Sequence, residues 1–128
     1  MKLLLDTHIW IWSLREPQRL GRRVIHALQD PDNELWLSPI SLWEALLLHR
    51  KGRISIVGDI GLWQAKATAK FREAPLTCEV VMTAHQLELH SDPADRFLAA
   101  TAKVLDLTLV TADQRMLGLG EIATLANR

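Results

Sequence analysis

The sequence predicts an α/β fold, a three-layer α/β/α sandwich around a central parallel sheet of four to five strands. Three observations carry that prediction. Short apolar runs alternate with helically spaced stretches along the chain, which is the pattern of strands joined by helical crossovers. The first run, Leu3-Leu4-Leu5, is apolar at consecutive positions and so suits a strand covered on both faces. The 128 residues, 48% of them hydrophobic, suit one core and hence a single domain over residues 1–128.

Leu3 to Leu5 is the first strand, and Thr7 to Leu14, too rich in Ile and Trp for a surface loop, is a helix. Glu16-Pro17-Gln18 breaks it, and Val24, Ile25 and Leu28 then repeat at helical spacing between Leu20 and Gln29. Asp30-Pro31-Asp32-Asn33 is a turn. Leu35 to Ser38 is a second strand, followed by Pro39 and a helix from Leu42 to His49 that stops near Gly52. Another helix is expected over Gly61–Phe71, a third strand at Leu76-Thr77-Cys78 after Pro75, and a short helix over Thr83–Leu89. Pro93 suits a first helical position, with the helix continuing from Phe97 to Leu105. Leu107 to Val110 reads as a strand, and Ile122 to Leu125 adds a last edge strand.

Composition excludes several classes. Fifteen Lys and Arg balance fifteen Asp and Glu, so no binding by bulk charge is expected and any basic patch must be local. The single cysteine, Cys78, supports neither an intrachain disulfide nor a multi-thiolate zinc site, and a cytoplasmic location is the expectation. The amino terminus begins like a signal peptide, but Asp6 ends its apolar run. No stretch is long enough to span a membrane, because acids and arginines interrupt each candidate.

In this architecture the functional crevice lies at the carboxyl ends of the strands. Four acids stand at strand ends or helix starts in the sequence. Asp6 ends the first strand, Glu44 begins the helix after the second, Asp95 begins the helix before the Val110 strand, and Asp113 follows that strand. Each has an ordinary reading as a helix cap: Asp6 and Asp113 as N-caps, Ser41-Leu42-Trp43-Glu44 as a capping box, Asp92-Pro93-Ala94-Asp95 as a capped start. Asp6 and Asp113 emerge at the carboxyl edge, whereas Glu44 and Asp95 need local geometry to reach it. If all four converge, their repulsion in a cleft calls for protons or a bound cation. All-oxygen ligation favours Mg²⁺, or Mn²⁺, over zinc and suits phosphoryl chemistry, in which a held cation acidifies a water and neutralises developing charge.

At these residues the chain resembles a known family. Leu3-Leu4-Leu5-Asp6-Thr7-His8, the internal Glu44, His90 to Ala102, and Leu109-Val110-Thr111-Ala112-Asp113 are similar in order and spacing to the PIN-domain ribonucleases, specifically VapC-like toxins of type II toxin–antitoxin systems. The resemblance spans nearly the whole chain. It implies a metal-dependent endoribonuclease in which Asp6, Glu44, Asp95 and Asp113 form the acidic set. Asp6 and Asp95 are then the foremost ligands, and Thr111 is the hydroxyl residue two before the last acid. Asp92 rivals Asp95, since both lie in one acidic loop. The resemblance also implies a cognate antitoxin, whose amphipathic tail packs near the early helices, and a symmetric homodimer. Two other classes remain open: a non-catalytic PIN-like module whose acids are caps, and a small-molecule phosphohydrolase. The latter lacks its usual second aspartate two residues after Asp6.

The remaining polar residues carry bland expectations. Arg96 pairs with a nearby acid rather than with a phosphate. His8 and His90 hydrogen-bond loops, because a metal-activated water needs no histidine base. Arg15, Arg19, Arg22 and Arg23, with His49-Arg50-Lys51-Gly52-Arg53, are either a solvated face or a means of holding a polyanion beside an acidic cleft. The five tryptophans are expected mainly in the core. The segments Ile9 to Trp12 and Leu42, Trp43 and Leu46 to Leu48 offer more apolar surface than one core-facing stripe needs, so part of it should lie between chains.

Overall fold

A computed structural model describes residues 1–128. Its five strands, β1 (Lys2–Leu5), β2 (Glu34–Leu37), β3 (Arg72–Glu73), β4 (Thr108–Thr111) and β5 (Thr124–Ala126), form one sheet in the order β3-β2-β1-β4-β5, every neighbouring pair parallel. The helices are α1 (Thr7–Arg15), α2 (Arg22–Gln29), α3 (Pro39–Arg50), α4 (Ile60–Ala67), α5 (Cys78–Gln86), α6 (Pro93–Leu105) and α7 (Gln114–Leu117), with a 3-10 turn at Pro17–Arg19.

Strand alternation divides the core. Leu3 and Leu5 of β1 point to one face with Ile9, Trp10, Val24 and Ala45 from α1, α2 and α3, and Val110 of β4 joins them. Leu4 and Leu109 point to the other face, against Leu98 and Ala102 of α6 and Met116 of α7. The consecutive leucines of β1 are therefore all solvent-free, as expected of a central strand with helices on both sides. Chain order reverses at β1, because β2 and β3 lie on one side and β4 and β5 on the other. A crevice consequently opens between the carboxyl ends of β1 and β4.

Several expectations need correcting. The third strand is Arg72–Glu73, not Leu76–Cys78: Arg72 and Glu73 pair with Trp36 and Leu37, while Thr77 caps α5 by accepting from the Val80 amide at 3.2 Å. The helix expected over Thr83–Leu89 accordingly starts at Cys78 and ends at Gln86. Helix α3 starts at Pro39 rather than Leu42, since Ser38 caps it through the Ile40 amide at 3.1 Å. Its end matches expectation, with Gly52 in the left-handed region at φ 72°, where glycine meets no side-chain penalty. Helix α4 stops at Ala67, short of Phe71, and the one-turn α7 has no counterpart among the elements expected from sequence.

The apolar surplus divides as well. Ile9, Trp10 and Ile11 are core, and the Trp10 indole donates to the Ala67 carbonyl at 3.0 Å. Trp12, Leu42 and Leu46 to Leu48 are half-buried, and Trp43 is 51% exposed. Trp43 is thus the tryptophan that departs from the core expectation. No helix is long and apolar enough to cross a membrane.

Candidate functional site

The four acids meet. Asp6, Glu44, Asp92, Asp95 and Asp113 line one cleft of about 580 Å³ at the carboxyl edge, together with His8, Trp12, Arg19 and Arg115. A helix that leads back to the next strand begins at this edge. This is why Asp95, in the first turn of α6, reaches the cleft without special geometry. Glu44 arrives differently: it stands in the second turn of α3 rather than at its start.

Asp6 follows β1 directly, and its amide donates to Val110 of β4 at 2.9 Å. It occupies the N-cap position of α1 but makes no side-chain cap bond. Its Oδ2 instead accepts from the Thr111 hydroxyl at 2.7 Å, across the β1–β4 junction. Thr111 is fully buried, and its Oγ1 also accepts from the Asp113 amide at 3.0 Å. One hydroxyl therefore ties the first acid to the backbone of the last.

The Ser41–Glu44 pair is not a capping box. Thr7 Oγ1 is hydrogen-bonded to Ser41 Oγ at 2.8 Å and to Glu44 Oε1. A threonine hydroxyl has one proton and an ionised carboxylate only accepts, so Thr7 donates to Glu44 and accepts from Ser41. Asp92 is the cap of α6, accepting from the Asp95 amide at 3.2 Å, which leaves the Asp95 side chain for the cleft. Asp95 Oδ2 lies 2.6 Å from His90 Nε2. His90 Nδ1 is buried without a partner, so the contact at Nε2 is the side chain's one hydrogen bond. His90 thus binds an acid rather than a loop.

The protonation preferences divide the acids. Burial raises the pKa of Asp6 above its ordinary value, against the Thr111 hydrogen bond, and the Asp95 charge adds to the rise. Burial likewise raises Glu44, opposed by Thr7 and assisted by the charges of Asp6, Asp92 and Asp95. Asp95 is raised by burial, opposed by His90 and assisted by Asp92. Asp113 is lowered: desolvation pushes it up, but the Arg115 side chain, amide and charge together outweigh that push. Three crowded carboxylates that resist ionisation are a donor set suited to a hard cation. His90, Asp95 and Asp113 also bring ligand-capable atoms within 4.8 Å of one another.

The pairing expected for Arg96 is not found. Its guanidinium donates to the carbonyls of Ala84, Leu87 and Leu89 at 2.6 to 2.9 Å, closing the end of α5 and the following loop. That clamp positions His90 and the start of α6. Of the rim residues, Arg19 belongs to the basic cluster that sequence offers as a holder of a polyanion, whereas Trp12 and Arg115 are not marked by sequence as site residues. Arg115 has only a local signal, two residues beyond Asp113.

Residues 3–122 match the family model described as PIN domain. The chain is 34% identical over 116 residues to Ribonuclease VapC22 of Mycobacterium tuberculosis, a match covering 89% of this chain and 88% of that protein. Its fold is similar to that of a chain in VapBC2 from Rickettsia felis bound to a promoter DNA fragment, with a TM-score of 0.74, 14% identity and 98% of each chain covered. It is also similar to one in DNA-bound VapBC from Salmonella typhimurium, with a TM-score of 0.73 and 17% identity, covering 100% of this chain and 99% of that one.

Proposed function

The chain belongs to the PIN domain family, and on that premise we propose that it is a metal-dependent endoribonuclease, the toxin of a type II toxin–antitoxin pair, acting as one domain over residues 1–128. The observation that carries this reading is the buried, uncapped Asp6 facing Glu44 and Asp95 in one cleft. Caps alone do not account for it, because capping uses Ser38, Asp92 and Asp113 and leaves Asp6, Glu44 and Asp95 over.

Asp6, Glu44, Asp95 and Asp113 would hold Mg²⁺, with Mn²⁺ as a substitute. When bound, such an ion supplies positive charge and an acidified water for hydrolysis of a phosphodiester bond. The chain's own residues prepare the site. Thr111 fixes one oxygen of Asp6, Thr7 fixes one of Glu44, and His90 holds Asp95. These bonds lock the carboxylates' rotamers before any ligand arrives. Arg115 pairs with Asp113 at the rim, so Asp113 would hold the cation less strongly than the deeper acids.

The test is cleavage of RNA by purified protein with and without Mg²⁺. Asp6→Asn and Asp95→Asn are expected to abolish metal-dependent cleavage while keeping the folded spectrum. Full activity in either variant contradicts the assignment.

The partners proposed are RNA as substrate, a helical, partly basic antitoxin, and a second copy of the chain. Exposure of Trp43 supports a contact between chains. Trp43→Ala should change the unfolding free energy by less than about 1 kcal/mol, against about 3 to 5 for a buried tryptophan, yet weaken antitoxin binding. A large stability loss with unchanged affinity refutes that role, and a monomer across micromolar concentrations in sedimentation refutes the dimer.

A further inference from the structure

A second concavity opens beside the acidic cleft. It encloses about 480 Å³ between α1, the 3-10 turn and the segment after α3, with Arg15, Arg19 and Arg53 on its walls. It shares His8, Trp12 and Arg19 with the acidic cleft, so the two form one continuous surface whose charge changes sign at Arg19. Resting on the ribonuclease reading above, we propose that this groove seats a single-stranded segment of the RNA substrate, with Arg19 as its phosphate clamp at the mouth of the cleft and Arg53 farther along.

Arg19 is held in place before any ligand arrives. Its guanidinium carbon lies 4.1 Å from the Trp12 ring centroid, and Nη1 is 3.2 Å from Glu16 Oε2. Its carbonyl accepts from Asn127 Nδ2 at 3.0 Å, while Asn127 Oδ1 accepts from the Gly21 amide at 2.7 Å. The side chain nevertheless remains 53% exposed. A planar cation fixed over an aromatic ring and open to solvent loses little freedom when it binds a phosphate. Arg15 serves the groove indirectly. Its Nη1 donates to the Ser55 carbonyl at 2.5 Å, which ties down the segment that carries Arg53.

Charge selects the occupant. The groove presents three guanidinium groups against Glu16, while the adjoining cleft presents five carboxylates. A polyanion that must reach those carboxylates needs positive charge immediately beside them, and this is where Arg19 stands. The exposed His8 ring, 6.0 Å from Trp12, and the outer guanidinium plane offer stacking surfaces that only an unpaired base can use.

The test measures binding of a short mixed-sequence single-stranded RNA in EDTA, where a metal-dependent nuclease leaves it intact, by fluorescence anisotropy over a salt series. Arg19→Ala should weaken binding about tenfold and lower the slope of log affinity against log salt by about 0.7, the value of one lost single-strand phosphate contact. Arg53→Ala should lower the slope similarly. Arg19→Lys should retain the slope with intermediate affinity, and Arg22→Ala, outside the groove, should alter neither quantity. Unchanged slopes in both groove variants overturn the proposal, as does equally tight binding of a perfect RNA duplex. So does an Arg19→Ala protein that loses a basic helical peptide but keeps RNA, which would assign the groove to a protein partner. The nuclease reading fails separately: a wild type that binds RNA through Arg19 and Arg53 yet leaves cleavable RNA intact with Mg²⁺ refutes the enzyme and retains the groove.

Discussion

The β1–α1 and β4–α7 turns are near copies in sequence logic and opposites in chemistry. Each follows a buried parallel strand, each places an aspartate at the N-cap position of the next helix, and the two strands are neighbours. Asp113 acts as that position predicts, accepting from the Arg115 amide at 2.8 Å and pairing with its guanidinium at 3.2 Å. Asp6 leaves its helix uncapped and turns to Thr111. Burial drives its pKa up, while Arg115 brings that of Asp113 down. An acid that gives up a cap bond, worth about 0.5 to 2 kcal/mol, and accepts burial near like charge is placed for something other than stability.

Substitution should separate the two turns. The largest expected effect is on cleavage: Asp6→Asn should lower the rate by more than about a hundredfold, because cation binding in such sites is worth several kcal/mol of transition-state charge. Asp113→Asn, which keeps a good cap and removes a charge already neutralised by Arg115, should cost about tenfold. Equal losses would erase the distinction.

Stability should move in opposite directions. In metal-free buffer Asp6→Asn should raise the chemical denaturation midpoint, since it removes a buried, mutually repelling charge. Asp113→Ala should lower stability by about 0.5 to 2 kcal/mol through the lost cap. A destabilised Asp6→Asn would mean that its charge is compensated within the fold.

A smaller effect is expected with pH. Asp6, Glu44 and Asp95 have raised pKa values in the folded state, so the native protein binds protons that the unfolded chain does not. Their favourable contribution is complete below the ordinary carboxylate range near pH 4 and is lost as pH rises through the raised values. Asp113 acts oppositely, contributing above its ordinary value and losing that contribution as pH falls through its lowered one. The metal-free protein should therefore gain stability on mild acidification, and Asp6→Asn should flatten that gain. An undiminished gain in the variant would place the titrating group elsewhere.

What is legible in the sequence follows from what each residue depends on. Leu3 to Leu5 reveal a doubly covered strand, and Asp6 and Asp113 reveal the edge, because strand direction alone fixes where a residue after a strand emerges. The placement of β3 is hidden. Arg72 and Glu73 are exposed and polar, and they are strand only because they pair with Trp36 and Leu37. Glu44 misleads because Ser41-x-x-Glu44 imitates a capping box, whereas Pro39 and Ser38 start the helix earlier and free both residues for Thr7. Arg96 departs from its expected acid because its acceptors are backbone carbonyls, which composition does not display. The nearness of Arg19 to the acids depends on contacts with Trp12 and Asn127 that no spacing encodes.

Among the four acids proposed to hold a divalent cation, the uncapped Asp6 would be the main anchor and the capped Asp113 a lesser one. Thermal unfolding of wild type, Asp6→Asn and Asp113→Asn over a Mg²⁺ titration tests that claim most directly, because a ligand that binds only the native state raises the midpoint by mass action. A saturable rise is expected in the wild type, most of it lost in Asp6→Asn and most of it kept in Asp113→Asn. The same rise in wild type and Asp6→Asn would contradict it.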